Sequence, residues 1–166
     1  MDANNSRCTI RAAASDDVMV ILRFIRELAE YEKLGDQVSA DRETLSRSLF
    51  GPRPYAECLL AETGGEPAGF ALYFHNFSTF VGKPGLYLED IYVAPAFRQA
   101  GIGLAFFRAL AKIALARDCG RIEWSVLHWN ERAIAFYRRL GAEPMAEWTV
   151  QRLTRKHIES LAESGD

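Results

Sequence analysis

Apolar residues recur at helical spacing over Val18, Ile21, Leu22, Ile25, Leu28 and Ala29, which predicts an amphipathic helix. Ser15, Asp16 and Asp17 offer its N-cap and Gly35 its end. A short strand is predicted before it, at 10–12. A second amphipathic helix follows Ser39, with Leu45 and Leu49 on one side, and Gly51, Pro52 and Pro54 break it. The period then changes. Residues 58–62 and 69–77 read as strands joined by the turn Thr63-Gly64-Gly65-Glu66, an antiparallel hairpin. A loop through Gly82, Lys83, Pro84 and Gly85 leads to a strand at 86–93 and a stop at Ala94-Pro95. The next helix turns Phe106, Phe107, Leu110, Ala111, Ile113 and Ala114 inward and keeps Arg108 and Lys112 wet, with Gly120 as its C′ glycine. Residues 121–127 read as a further strand. Asn130 caps a short helix through Ala133, Phe136, Tyr137 and Leu140 that Gly141 closes. Residues 149–153 read as a last strand, and the tail as a charged helix or a frayed end. The order β-α-α-β-β-β-α-β-α-β is an α/β layout on one mixed sheet.

The stretch that carries chemistry lies between the strand at 86–93 and the helix after it. Arg98, Gln99, Ala100, Gly101, Ile102 and Gly103 form a basic turn with two spaced glycines. Glycine lets a ligand approach the backbone closely. The first helical turn has free N–H groups, and its dipole adds about half a positive charge. Such a pocket wants an anion, most often a phosphate. No Lys-Ser or Lys-Thr follows the second glycine, so the turn is not a Walker loop. Phe106 stands where a dinucleotide fingerprint wants its third glycine.

Size and composition narrow the partners. A chain of 166 residues, 49% hydrophobic and 25% charged, suits one domain over 1–166. A net charge of -2 gives no bulk field for nucleic acid. Cys8, Cys58 and Cys119 lack metal spacing and read as reduced, mostly buried thiols, which fits a reducing compartment. His75, His128 and His157 are scattered, and no metal or Ser-His-Asp constellation is visible. No apolar run approaches the roughly 20 residues that span a bilayer. Residues 1–7 are polar and give no secretory signal. The cytoplasm is the expected location.

The chain resembles the GNAT acetyltransferase superfamily, and within it the diamine (spermidine/spermine) acetyltransferase group. The turn at 98–103 matches the family's acetyl-CoA pyrophosphate loop. Further matching runs are 21–23 through 29–32, Gly69-Phe70-Ala71, 86–90, Trp129-Asn130-Glu131 and Phe136-Tyr137. The resemblance implies a single-domain GNAT-type fold, a mixed and mostly antiparallel sheet flanked by helices. It implies acetyl-CoA as cofactor, held by Ile91, Tyr92, Val93, residues Arg98, Gln99, Ala100, Gly101, Ile102, Gly103 and Leu104, and by Asn130, Glu131, Arg132, Ala133 and Tyr137. It places Glu89 beside the amine as base and Tyr137 as general acid. A phenol near a pKa of about 10 facing a thiolate near about 8.5 is uphill by roughly 2 kcal/mol, which is tolerable as charge develops. On helix spacing alone Tyr137 reads as a core filler and Asn130 as a cap; the family match at Asn130 and Phe136-Tyr137 gives them their roles in the site.

The same resemblance gives an acidic substrate wall of Tyr31, Glu32, Glu89, Asp90 and Glu147, with Glu123, Trp124 and Ser125 as another substrate-facing stretch. The sequence departs from the polyamine enzymes at Ser78, where they carry an acid, and at Phe80, where they carry tryptophan. It also departs around Pro84-Gly85 and near Met145 to Trp148. One lost carboxylate removes a contact to a second ammonium, so a lysine-like or thialysine-like amine becomes a credible substrate beside polyamines and diamines. The rivals are a protein acetyltransferase acting on N-termini or lysines, and a coenzyme A sensor without turnover. Homodimers are common in the group, and one is expected here.

Overall fold

Two glycines in left-handed conformation, Gly64 (φ 63°) and Gly65 (φ 82°), make the tight turn of the central hairpin. Both central positions of a type I′ turn need positive φ, and this turn matches the twist of the strands it joins. It sets β2 (Glu57–Thr63) against β3 (Glu66–Ser78), with Thr63 opposite Glu66. The computed structural model describes residues 8–164, so the polar start at 1–7 lies outside the described residues. The chain divides into two compact units, Met1–Ser125 and Val126–Asp166.

In the first unit the sheet order is β1-β2-β3-β4-β5. Strands β1 (Thr9–Ala12), β2, β3 and β4 (Lys83–Val93) pair antiparallel, and β5 (Ile122–Trp124) runs parallel to β4. Helices α1 (Val18–Tyr31) and α2 (Arg42–Phe50) follow β1, and α3 (Ile102–Ala116) follows β4. Phe24 of α1 stacks on Phe70 at 6.0 Å and meets Tyr92 at 5.9 Å. Ile21, Phe24, Leu60 and Phe70 are fully buried, each contributing roughly 2–3 kcal/mol. Trp124 pairs with Leu88, and Leu88 with Tyr73, the face of β3 opposite to Phe70. Phe107 of α3 packs edge-on against Trp124 at 5.0 Å, so α3 covers the other face of the sheet. Arg11 ties β1 to its surroundings, donating to Asp17 at 2.7 and 2.9 Å and to Glu62 at 2.8 Å. Its guanidinium holds the Asp17 carboxyl below the ordinary carboxylate range.

The second unit holds α4 (Glu131–Arg139) and α5 (Arg155–Glu163). The strand expected at 149–153 is absent: the segment is irregular, and Val150 and Leu153 are exposed. An isolated strand leaves its N–H and C=O groups without a ladder, and among the described residues no strand flanks it. The strand expected at 121–127 is cut to three residues. Strand β4, by contrast, begins three residues early, at Lys83, because Gly85 admits the close approach of Asn76, whose side chain a Cβ there would strike.

Two helix ends also differ from expectation. Helix α1 closes on Lys33 (φ 62°), not Gly35, and α3 on Asp118 (φ 53°), not Gly120. In each, the next residue's N–H reaches back five residues: Leu34 to Ala29 at 2.8 Å and Cys119 to Ala114 at 2.8 Å. These are Schellman ends with non-glycine residues in the left-handed position. Helices α2 and α4 end as expected, α2 at Gly51 and α4 on Gly141 (φ 86°). Of the three cysteines, all free, only Cys58 is buried.

Candidate active site

The β3–β4 ladder contains a bulge at the expected site. Leu72 faces Asp90 and Tyr73 faces Leu88, so Glu89 is an extra residue on β4. The bulge keeps Asp90 on the face shared with Leu72 and Tyr92, the α1 side, and leaves Glu89 exposed. Burial pushes the Asp90 carboxyl up to about 6, with Glu89 and then Glu32 adding to the rise. Glu32, at the end of α1, is itself raised by burial. Tyr31, Glu32, Glu89 and Asp90 are therefore brought to one end of the sheet, where Glu89 and Glu32 both act on Asp90.

Beyond Leu88 the sheet opens. Strand β5 pairs with β4 only over residues 86–88, and β4 runs on to Val93 against β3 alone. One edge of Ile91, Tyr92 and Val93 is thus left unpaired by β5. A single 3-10 turn, Pro95–Phe97, then leads to the glycine turn. Gln99 (φ 69°) and Gly101 (φ 78°) are left-handed, and Gly101 is the N-cap of α3 with no side-chain cap. A Cβ on Gly101 would meet nothing within 4 Å, so the approach to the helix start is open. Ala105 donates to Gly101 O at 3.0 Å, which leaves the N–H groups of Ile102, Gly103 and Leu104 as the uncapped first turn. Alternating left-handed backbone with a helix start is a recurrent anion-binding geometry.

The family model for the acetyltransferase (GNAT) family matches residues 22–142. The chain belongs to the GNAT acetyltransferase family. A thialysine N-epsilon-acetyltransferase of Bos taurus is 42% identical over 164 residues, covering 92% of this chain and 96% of that relative. An L-ornithine N5-acetyltransferase of Arabidopsis thaliana is 29% identical over 197 aligned positions, covering 92% of this chain and 86% of the relative. An integron cassette protein of V. cholerae shares the fold with a TM-score of 0.79 at 26% identity, covering 95% of this chain and 98% of that one. The sheet with its flanking helices is thus a GNAT fold, and the chain is an acetyltransferase.

Within this acetyltransferase the other expected site residues are more scattered. Glu123 lies on the same face as Tyr87, but Arg121 pairs with it at 2.8 Å and Asn76 donates to it at 2.9 Å. Trp124 points to the α3 face. Ser125 shares a 3.0 Å hydrogen bond with the Tyr87 hydroxyl, across the point where β4 and β5 part. Ser78 is buried, and its hydroxyl accepts from Arg121 at 3.3 Å. An acid at that position would meet Arg121 before it met a substrate.

In the second unit Asn130 does cap α4: its side chain accepts from Ala133 N at 3.2 Å. Glu131 and Arg132 are exposed in that first turn, Tyr137 is half-buried beside Phe136 (5.5 Å), and Glu147 is exposed. Sequence reasoning missed the Tyr87–Ser125 pair and the surroundings of Arg98. The signal for the first was a tyrosine two residues before Glu89, on the face that alternation leaves open.

Proposed function

We propose that this chain transfers an acetyl group from acetyl-CoA to a primary amine of a small cation with one or two amino groups, of the lysine or thialysine type. The observation that carries the reading is the grouping of Glu32, Glu89 and Asp90 at the end of the sheet that feeds the open glycine turn. When bound, acetyl-CoA supplies an activated acetyl group. Residues 99–104, with the free edge of Ile91, Tyr92 and Val93, would hold it. The fit rests on Gly101, whose left-handed backbone and open surroundings leave the helix start accessible.

Asp90 and Glu32 orient the cation. An alkyl amine is neutral in only about one molecule in two thousand at pH 7, so a proton must leave it. Glu89 takes that proton, directly or through water. The Tyr137 hydroxyl holds the proton that the departing sulfur needs. Backbone N–H groups of 91–93 polarise the reacting carbonyl, a contribution of roughly 3 kcal/mol for one well-placed donor.

Thiol release from acetyl-CoA, followed across thialysine, lysine, ornithine, putrescine, spermidine and peptides with free N-termini, tests this. The highest kcat/KM is expected with thialysine or lysine. Turnover confined to peptides would favour a protein acetyltransferase, and none with any amine would favour a sensor.

The same proposal includes a cytoplasmic homodimer. Met145, Trp148, Val150, Leu153 and Ile158 are all at least half exposed, more apolar surface than a short segment usually leaves in water. Sedimentation of the purified chain is expected to give twice the monomer mass.

A further inference from the structure

We infer that Arg98 is a positioning residue that ties the amine wall to the cofactor turn, rather than a ligand of the cofactor's diphosphate. The inference rests on the acetyl-CoA reading above. The Arg98 side chain is already engaged three ways. Its Nε donates to Val93 O at 2.9 Å. Its guanidinium carbon lies 5.2 Å from the Tyr31 ring centre and 5.6 Å from that of Tyr92. Both distances fall within the range of a cation–π contact.

The three partners belong to different parts of the site. Tyr31 is the last residue of α1 and precedes Glu32. Tyr92 lies two residues beyond Asp90, and its phenol also meets Glu27. Val93 is the last residue of β4. Arg98 itself immediately precedes Gln99, the first left-handed residue of the turn. A planar guanidinium against two rings and a carbonyl cannot swing towards a phosphate without leaving all three. The anion is then met by backbone N–H groups at the start of α3, and Arg98 fixes the turn that presents them. Because the same group presses on Tyr31, a cation settling beside Glu32 and Asp90 acts on the turn through it. Coupling of this kind is reciprocal: bound cofactor strengthens amine binding by the same factor.

The test separates this role from phosphate binding. Arg98→Lys keeps the charge but loses the planar fork and the stacking, and Arg98→Met loses the charge as well. Both are expected to raise the KM for thialysine about tenfold. Both should leave the Kd for coenzyme A alone, read by calorimetry, within about twofold, since the backbone still holds the anion. Tyr31→Leu, at a residue 39% exposed and so tolerant of change, should raise the KM similarly. The Arg98→Lys/Tyr31→Leu double variant should be no worse than either single change. A tenfold weaker Kd for coenzyme A in Arg98→Met with an unchanged amine KM would overturn the inference, as would additive effects of the two single changes. Absence of any coenzyme A heat from the unaltered chain would instead overturn the cofactor reading, and the inference with it.

Discussion

Asp90 faces Leu72 across the β3–β4 ladder, while the residue before it, Glu89, faces nothing. One bulge thus turns two adjacent carboxylates to different tasks: Asp90 is drawn inward and its carboxyl pushed up to about 6, and Glu89 stays in the open. An acid with a raised folded pKa holds its proton longer in the folded chain than in the unfolded one. Between about pH 4 and about pH 6 the folded state binds more protons, so stability falls as pH rises through that window. Above it, the ionised Asp90 costs on the order of 2–3 kcal/mol. Asp90→Asn is therefore expected to melt on the order of 5 °C higher at pH 7.5, with the difference closing towards pH 4. It should also lose amine affinity. Thermal unfolding at several pH values checks the first, and the KM for thialysine the second. A variant that melts with the unaltered chain at every pH would show that Asp90 is not under strain.

Glu89→Gln and Tyr137→Phe each remove one proton-handling group and little volume. Each is expected to lower kcat by about 10²–10⁴-fold, the range for a positioned acid or base. Coenzyme A should still bind, since both changes leave the sequence of the glycine turn intact. Should Tyr137→Phe keep full turnover from pH 6 to 9, the phenol has no part in the chemistry.

Much of this site was legible in the sequence, because backbone chemistry leaves a local signature. The pair Gly101 and Gly103 after a strand predicts the open helix start, and Gly64-Gly65 predicts the hairpin. Side-chain alliances between distant elements leave none. Nothing near Arg98 in the chain announces Tyr31, 67 positions away, and nothing near Glu123 announces Asn76. The bulge at Glu89 leaves only a faint trace, the shift of the aliphatic positions from Leu86 and Leu88 to Ile91 and Val93 across the adjacent Glu89 and Asp90. The strand expected at 149–153 has apolar residues but no edge beside it in its own unit, and a strand is a property of a pair.

Two glycines of unlike surroundings make a paired test of the turn. Gly101→Ala places a Cβ in open space but forces a left-handed backbone on alanine, a cost of about 1 kcal/mol. The fold should survive, with coenzyme A binding weakened about tenfold by the Cβ at the backbone approach. Gly69→Ala would drive its Cβ into the carbonyl of Tyr92, and is expected to destabilise the chain by about 2–4 kcal/mol. Melting curves and calorimetry on both distinguish them: binding is lost first in Gly101→Ala, and stability first in Gly69→Ala.

The end of α1 offers a stabilising change that the position of its glycine conceals. Lys33 occupies the left-handed position of the Schellman end, and Gly35 does not. A non-glycine residue there carries about 1–2 kcal/mol of strain, and glycine gives back roughly 0.5–1 kcal/mol of that in chain entropy. Lys33→Gly should then gain about 0.5–1 kcal/mol, or roughly 2–4 °C in Tm. Gly35→Ala is the control. Its Cβ would come to 3.4 Å from Glu30 Cγ, an ordinary contact, so the melting point should hold or rise slightly. If Gly35→Ala instead melts several degrees lower while Lys33→Gly gains nothing, the helix stop lies at Gly35 and the left-handed lysine is unstrained.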